Sequence, residues 1–321
     1  MKIERTTIRL SLTLFVTLLL LLSAARATEN GGSVWPVGAY SYGIASGVPR
    51  SGQTMVYEYT LFYSANELDD ANGKKMPLDF KLRVAAVAID ISHNWGVKFL
   101  GGQLGSHIAI PYPYEQLHLG DTKSTDNNPS NINIVPLEIF NHKGMVHWLY
   151  ELQIESAAPG YQKGAALNLG QHNIAFTPGL ALTLTPWEGA TNLNARIDYI
   201  INDADHATHY RSGNELFSQF GAQQRIPRHD MSVGLAGYYY LQTTSDSQFG
   251  AAAVSTNADG SKSLGYRGRV LDLGPQVTFP WGKHGAIIVK WDHDMLVQNK
   301  PRGNAFWFQF GIPFSYLHHS H

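Results

Sequence analysis

Hydrophobic and polar positions alternate with period two over most of this chain. From Asn173 the odd positions read Asn173, Ala175, Thr177, Gly179, Ala181, Thr183 and Thr185, and the even ones Ile174, Phe176, Pro178, Leu180, Leu182 and Leu184. Residues 193–202 repeat the pattern, with Leu193, Ala195, Ile197, Tyr199 and Ile201 on one face and Asn194, Arg196, Asp198, Ile200 and Asn202 on the other. Ile287, Val289 and Trp291 alternate with Ile288, Lys290, Asp292 and Asp294, and Phe306, Phe308 and Phe310 with Ala305, Trp307 and Gln309. Met55, Tyr57, Tyr59, Leu61 and Tyr63 stand opposite Thr54, Glu58, Thr60 and Ser64; Asp79, Lys81 and Arg83 stand opposite Phe80, Leu82 and Val84. Such segments are β-strands with one greasy and one polar face. In a sandwich the polar face meets solvent. In a transmembrane barrel it lines the lumen while the greasy face meets lipid. Alternation alone does not choose between them.

The connections bear on the choice. Short polar turns fall at 93–96, 141–144, 187–189, 227–230 and 281–285; longer polar segments fall at 65–76, 112–130, 158–168, 204–212, 245–263 and, briefly, 299–303. Short and long connections therefore alternate, as they do in outer-membrane barrels. Twelve strands result, at roughly 52–64, 77–92, 96–111, 131–141, 145–157, 170–186, 190–203, 213–226, 230–244, 264–280, 285–298 and 303–315. They reach the ~9–11 residues that a tilted strand needs to cross a bilayer, whereas sandwich strands centre on ~5–6. The expected fold is all-β, a transmembrane antiparallel up-and-down β-barrel over residues 51–321. A secreted soluble β-sandwich is the alternative. Trp95, Trp187 and Trp281 sit at proposed short turns and are expected to form an interfacial girdle.

Two segments that precede the barrel region differ from it. Lys2, Arg5 and Arg9, the apolar run Leu10–Leu22 and Ala25-Arg26-Ala27 read as an export signal over residues 1–27. Residues 28–50 carry Trp35-Pro36-Val37-Gly38, Tyr42-Gly43 and Val48-Pro49, too rich in proline and glycine for a central strand. They are expected to be an extended segment, either a lumen plug with Trp35, Pro36, Tyr40 and Tyr42 as its candidates, or a flexible tail.

Composition removes several classes. The 321 residues carry a net charge of −1, which leaves no basic footprint for nucleic acid. There are no cysteines, so no disulfide scaffold, thiolate nucleophile or cysteine zinc site. The charged fraction is 15%, and the charges placed on the inferred inward face are Asp79, Lys81, Arg83, Glu151, Glu155, Arg196, Asp198, Arg267, Arg269, Lys290 and Asp292. Both signs occur, so a lumen cross-linked by ion pairs is expected rather than a strongly ion-selective one.

Several stretches resemble an outer-membrane family that goes by the words "MetA-pathway of phenol degradation". They are Pro36-Val37-Gly38-Ala39-Tyr40, residues 63–73 (YSANELDDANG), 208–215 (THYRSGNE), 233–242 (VGLAGYYYLQ) and 265–277 (GYRGRVLDLGPQV), in order along nearly the whole mature chain. The resemblance implies an outer-membrane barrel of a Gram-negative bacterium that admits small hydrophobic or aromatic compounds passively. It also implies partners: outer-membrane lipid and lipopolysaccharide, the outer-membrane assembly machinery, and a small hydrophobic solute. A structural or surface-binding barrel, using loops 112–130 and 245–263, is the rival reading.

Fourteen histidines invite a metal reading. Asp203, Asp205, His206 and His209 cluster in sequence, as do Asp292, His293 and Asp294, but neither group sets three or four ligands on one rigid frame. Ser212, His209 and Asn214 are local neighbours without a nucleophile elbow. No metal, cofactor or catalytic residue is expected, and the chain is read as a non-enzyme.

Overall fold

The computed structural model describes residues 33–34, 38–40, 43–282 and 285–314. The export signal at 1–27 and the plug candidates Trp35, Pro36 and Tyr42 lie outside the described residues.

Twelve strands build the wall: β1 (Thr54–Leu68), β2 (Phe80–Phe99), β3 (Gly102–Leu119), β4 (Asn133–Lys143), β5 (Val146–Glu155), β6 (Ala175–Leu184), β7 (Thr191–Asn202), β8 (Glu215–Ile226), β9 (Met231–Gln242), β10 (Arg269–Trp281), β11 (Gly285–Gln298) and β12 (Pro301–Pro313). Each is antiparallel to its sequence neighbours, and β1 pairs with both β2 and β12. Met55 lies opposite Pro313 and Leu68 opposite Pro301, so the sheet closes on itself along the full length of β1. Closure leaves no wall edge with unsatisfied backbone groups, the condition for a sheet that crosses lipid, and it excludes the sandwich.

Side-chain parity sorts the two faces. Ile108, Ile110, Tyr112, Ile134, Leu152, Phe176, Leu180, Leu182, Ile197, Ile201, Trp291, Phe306 and Phe308 are exposed on the outside. The inside holds Gln153, Thr183, Arg196, Asp198, Gln219, Gln276, Lys290 and Asp292, all buried. Greasy-out and polar-in is the inversion of a water-soluble protein that a barrel in lipid requires.

The structure departs from the sequence reading at four places. The turn expected at 93–96 is a bulge inside a longer hairpin: β2 runs on to Phe99, pairing shifts between Asn94 and Lys98, and the turn lies at Leu100-Gly101 with φ of 47° and 86°. Asn94 causes this. It is buried, its amide donates to Pro49 O at 3.0 Å and to Gln103 Oε1 at 2.7 Å, and its Oδ1 accepts from Gly96 N at 3.0 Å. The loop expected from 112 is largely strand: β3 continues to Leu119 and pairs with a short return, Thr122–Asp126. Residues 264–268 precede rather than begin β10, because Gly265 and Tyr266 take φ of 83° and 46°, which end extended chain.

The fourth departure concerns β1. Its greasy row Met55, Tyr57, Tyr59, Leu61 and Tyr63 faces the lumen, and Phe62 is exposed on the outside. Tyrosine can do this because its hydroxyl finds partners: Tyr57 donates to Gly47 O at 2.8 Å and Tyr63 to Asp294 Oδ2 at 3.0 Å.

The long connections gather at one end. Tyr210–Arg211 pairs with Ser247–Gln248, which pairs with Ala251–Ala252, while Val254–Thr256 pairs with Lys262–Leu264. These short ladders give the loop-end mouth its own frame.

Candidate functional site

The site is the lumen, built from the short-turn end, through a charged middle, to the loop-end mouth.

In the middle, β5, β6 and β7 lie side by side, with Glu151 opposite Gly179 and Gly179 opposite Asp198. Arg196 Nη2 donates to Glu151 Oε1. Its Nε donates to Asp198 Oδ2 at 2.7 Å and its Nη2 to Asp198 Oδ1 at 2.9 Å. The guanidinium reaches β5 over β6 only because residue 179 has no side chain. A Cβ there would stand 2.5 Å from Asp198 Oδ1, 3.1 Å from Glu151 Cγ and 3.3 Å from Arg196 Nη2. Across the lumen Lys290 Nζ pairs with Asp292 at 2.8 Å, both fully buried, and lies 5.4 Å from the Trp307 ring centroid. Asp294 accepts from Tyr63, Tyr238 and Gly303 N at 2.8–3.1 Å.

Described residues of the N-terminal segment lie against this inward face. Ser33 Oγ donates to Glu215 Oε2 at 2.5 Å, near the loop end. Lys290 Nζ donates to Gly38 O, and Gln309 Nε2 to Ala39 O at 2.5 Å. Tyr40 N donates to Gln219 Oε1 at 2.7 Å, and the Tyr40 ring lies under the Arg196 guanidinium, 4.6 Å away. Ile44 N reaches Asn194 at 3.2 Å and Ala45 N reaches Thr183 at 3.0 Å. Pro49 O meets Asn94, close to the short turns. In chain order these contacts descend from the loop end to the short-turn end. A backbone without its own secondary structure needs outside partners for its amides and carbonyls; here inward Gln, Asn, Thr and Lys side chains supply them.

Below Tyr40 a cavity of about 490 Å³ reaches the short-turn end, where Arg225, Asp230 and Pro280 line it. Its wall includes Asp90, His107, Glu138 and Glu151. At the opposite end a cavity of about 240 Å³ is lined by Leu68, Met76, Phe80, Leu82, Leu117 and Leu119. Ala65, Leu68, Met76 and Phe80 form a buried apolar cluster there, with Tyr63 and Ala258 packed against it. Asp246 supports this mouth from the loop 243–268. It accepts from Tyr210 Oη, from Gly213 N at 2.7 Å and from Gln242 Nε2 at 2.5 Å. Burial pushes its carboxyl up to about 7 despite those donors. Burial also lowers the Lys300 ammonium, in the turn between β11 and β12.

Of the charges placed inward from the sequence, the structure gathers Glu151, Glu155, Arg196, Asp198, Lys290 and Asp292 inside, all buried. The other five are corrected. Asp79 and Lys81 are more than half exposed and pair with each other at 3.9 Å; Asp79 also lies 3.7 Å from His118, which is on the outer parity of β3. Arg83 binds Ala65 O, Leu82 O and Asn66 Oδ1 at 2.8–2.9 Å. Arg267 is exposed in the loop, and the Arg269 guanidinium lies 5.6 Å from the outward Tyr239 ring. In these stretches the greasy partners Phe80, Leu82 and Val270 take the inward face, Phe80 and Leu82 in the apolar cluster of the mouth and Val270 in a cluster with Tyr238, Tyr240 and Val297. The charges sit at the loop-end rim, where the strands overshoot the ~9–11 residues that a crossing uses. Trp95, Trp187 and Trp281 are exposed at the short-turn end.

Sequence reasoning did not bring forward His107, Glu138, Asp90 or the mouth residues. Ile108 and Ile110 betray the parity of His107, since they face out. Glu138 is hidden by a bulge between Ile134 and Leu137 at Pro136, which moves the inward set from Asn133 and Val135 to Glu138 and Phe140.

Compared with known proteins, residues 65–310 match the family model that carries the words "MetA-pathway of phenol degradation". No curated protein matches the chain in sequence. Among solved structures, an outer membrane channel from Pseudomonas putida F1 superposes with a TM-score of 0.67 at 12% identity, covering 83% of this chain and 96% of the channel. The β domain of the Bordetella autotransporter BrkA matches at 0.43 and 11% identity, covering 83% and 100% of the two chains. A Pseudomonas aeruginosa FadL homologue matches at 0.39 and 10% identity, covering 89% and 96%. The last two scores are too low to argue from; the first shows that the fold is that of an outer-membrane channel.

Proposed function

From the premise that this chain belongs to the "MetA-pathway of phenol degradation" family, we propose that it is an outer-membrane channel that admits small apolar solutes, aromatic ones among them, down their own gradient. The observation that carries this reading is the cavity at the loop-end mouth, whose lining is mainly apolar through Leu68, Met76, Phe80, Leu82, Leu117 and Leu119, with the carboxylates Asp69, Asp70 and Glu115 beside them. Its volume of about 240 Å³ suits a single-ring molecule better than the ~300–1,000 Å³ pockets of larger ligands. In this reading the described residues 33–34, 38–40 and 43–50 act as an internal plug. They narrow the way past Arg196 and Lys290, so that only small molecules pass the charged middle.

The surroundings fit the same reading. The outward greasy belt suits outer-membrane lipid, with Trp95, Trp187 and Trp281 at one interface. Lys81, Arg83 and Arg269 stand at the loop-end rim, where they would meet lipopolysaccharide phosphates. The assembly machinery would insert the closed barrel. No cofactor enters the reading.

The test is solute entry into vesicles whose outer leaflet is lipopolysaccharide, since that leaflet, unlike phospholipid, slows apolar solutes. Phenol should enter protein-bearing vesicles faster than protein-free ones, and a sugar of similar size should gain less. Deleting residues 28–50 should raise entry of both and erase the difference. Phenol entry equal to that of protein-free vesicles would leave a structural barrel as the better reading.

A further inference from the structure

Three strands bring two carboxylates and an imidazole to one point inside the wall. Glu138 on β4 and Glu151 on β5 are directly opposite in the ladder, and both point inward. On β3, pairing with β4 shifts between Gly105 and His107, which brings His107 to the same height. One ligating atom from each of His107, Glu138 and Glu151 lies within 4.8 Å of the others, and all three residues are more than nine-tenths buried.

Two observations say that this cluster is incomplete as it stands. Like charges directly opposite on a ladder repel. Here they do so with Asp90 and Asp198 also buried nearby; Asp90 faces the His107 imidazole at 3.1 Å, and the guanidinium of Arg196 is shared by Glu151 and Asp198. In addition, Glu138 Oε2 and Glu151 Oε2 are buried without any hydrogen-bond partner. Arg196 engages Glu151 through Oε1 only and is shared with Asp198. A buried carboxylate oxygen without a donor costs free energy unless a proton or a cation meets it.

The chemistry of the donors selects the cation. One nitrogen and two carboxylates are a borderline set, suited to zinc and its first-row neighbours rather than to calcium or magnesium, which prefer oxygen alone. His107 Nδ1 lies 3.1 Å from Asp90 Oδ1. A proton held there by Asp90 leaves the Nε2 lone pair for a metal, the usual arrangement of a ligating histidine. Three protein ligands leave a position open to water, and the cavity of about 490 Å³ gives access from the short-turn end. We propose that His107, Glu138 and Glu151 form a binding site for a divalent first-row transition-metal ion, with Asp90 as the positioning residue for His107. The proposal stands whether or not the lumen passes an apolar solute.

The probe is Zn2+ itself, titrated calorimetrically into the mature chain refolded in detergent. The tail residues His318, His319 and His321 could also take zinc, so the same titration is run on the triple variant H318A/H319A/H321A. One Zn2+ should bind per chain in that background, and Mg2+ should not compete. Glu138→Gln should weaken it by at least about tenfold, and Asp90→Asn by about tenfold, the low end for a lost outer-shell partner. Glu138→Gln removes a buried charge and keeps the shape, so its heat-modifiable gel mobility should match the parent. Zinc-edge anomalous scattering from crystals of the unmutated chain provides a readout that needs no variant to fold, with the expected peak between the three side chains. Zinc binding that vanishes with the tail histidines, an affinity unchanged in Glu138→Gln, or an anomalous peak only elsewhere would each overturn the proposal.

Discussion

The two halves of the lumen are made by the same strands and differ in chemistry. β2 contributes Phe80 and Leu82 to the loop-end mouth and Asp90, Ser92 and Asn94 further down; β3 contributes Leu117 and Leu119 to the mouth and His107 below. Polarity therefore changes along each strand rather than from strand to strand. Period-two alternation assigns a residue to a face, but the height along the strand decides what that face touches. At the mouth the inward face packs against loops, with Ala258 on the apolar cluster, so grease gathers inside beside the buried carboxylates Asp69 and Asp70, while Asp79, Lys81 and Arg83 are turned out. In the middle the inward face meets the backbone of residues 38–40 and 43–45 and the ion pairs of Arg196 and Lys290, so polar groups belong inside. On the proposed reading the mouth holds the apolar solute, while the ion pairs and hydrogen bonds of the middle hold the wall and the described inner residues together.

The strongest way to break this contrast is to remove the guanidinium that holds the middle. Arg196→Met leaves Glu151 and Asp198 buried beside each other without their cation. Losing one partner of a buried ion pair costs about 3–5 kcal/mol, so the urea midpoint of the heat-modifiable form should fall steeply. Gly179→Val attacks the same contact by sterics, because the new side chain occupies the space through which Arg196 reaches Glu151. Overpacking of this kind costs about 1–3 kcal/mol. A loss below about 1 kcal/mol for Arg196→Met would mean that the middle is solvated like a protein surface, and the contrast would then be one of appearance only.

The mouth should respond in the opposite way. Met76→Ala shortens a buried apolar side chain in the 240 Å³ cavity without touching an ion pair. Removing about one methylene's worth of contact with a bound ring is worth about 0.8 kcal/mol, so saturable phenol entry should weaken about fourfold by that figure. Sugar entry should not change. Equal effects on phenol and sugar would show that the mouth is a passive opening and that its grease serves packing alone.

The wall of the barrel was legible because its signal is local. Ile174–Leu184 and 193–202 declare their faces residue by residue, and the turns at 187–189 and 227–230 are short 3-10 turns where the polar stretches lie. What stayed hidden needed partners from distant strands. Asn94-Trp95-Gly96 has turn chemistry, yet Asn94 spends it on Pro49 and Gln103 inside a bulge. β1 has greasy alternation, yet its tyrosines face in because Asp294 and Gly47 are there to receive the hydroxyls. Asp79, Lys81 and Arg83 look like lumen charges until the loops above Phe80 make the mouth apolar. His107, Glu138 and Glu151 converge from three strands through two register shifts, which no single segment's period can reveal.

The smallest expected effect is confined to the loop that frames the mouth, and it sharpens the contrast by separating mouth from middle through pH. In the closed loop the Asp246 carboxyl is pushed up to about 7 from its ordinary 3.8. Opening the loop returns it to water, so between those values the closed form holds a proton that the open form has released. By linkage, stability falls with rising pH wherever the native state binds more protons. The closed loop is therefore at full strength below pH 3.8, loses stability progressively up to about pH 7, and changes no further above that. Asp246→Asn mimics the protonated acid and can still accept from Gly213 N, so its loop should stay closed across the range. Limited proteolysis of residues 243–268 reads this directly. Cleavage of the parent should speed up from pH 4 to pH 7, that of Asp246→Asn should stay flat once corrected for protease activity, and the urea midpoints of the two barrels should agree with each other at each pH. A midpoint that follows the loop would show that mouth and middle unfold as one unit.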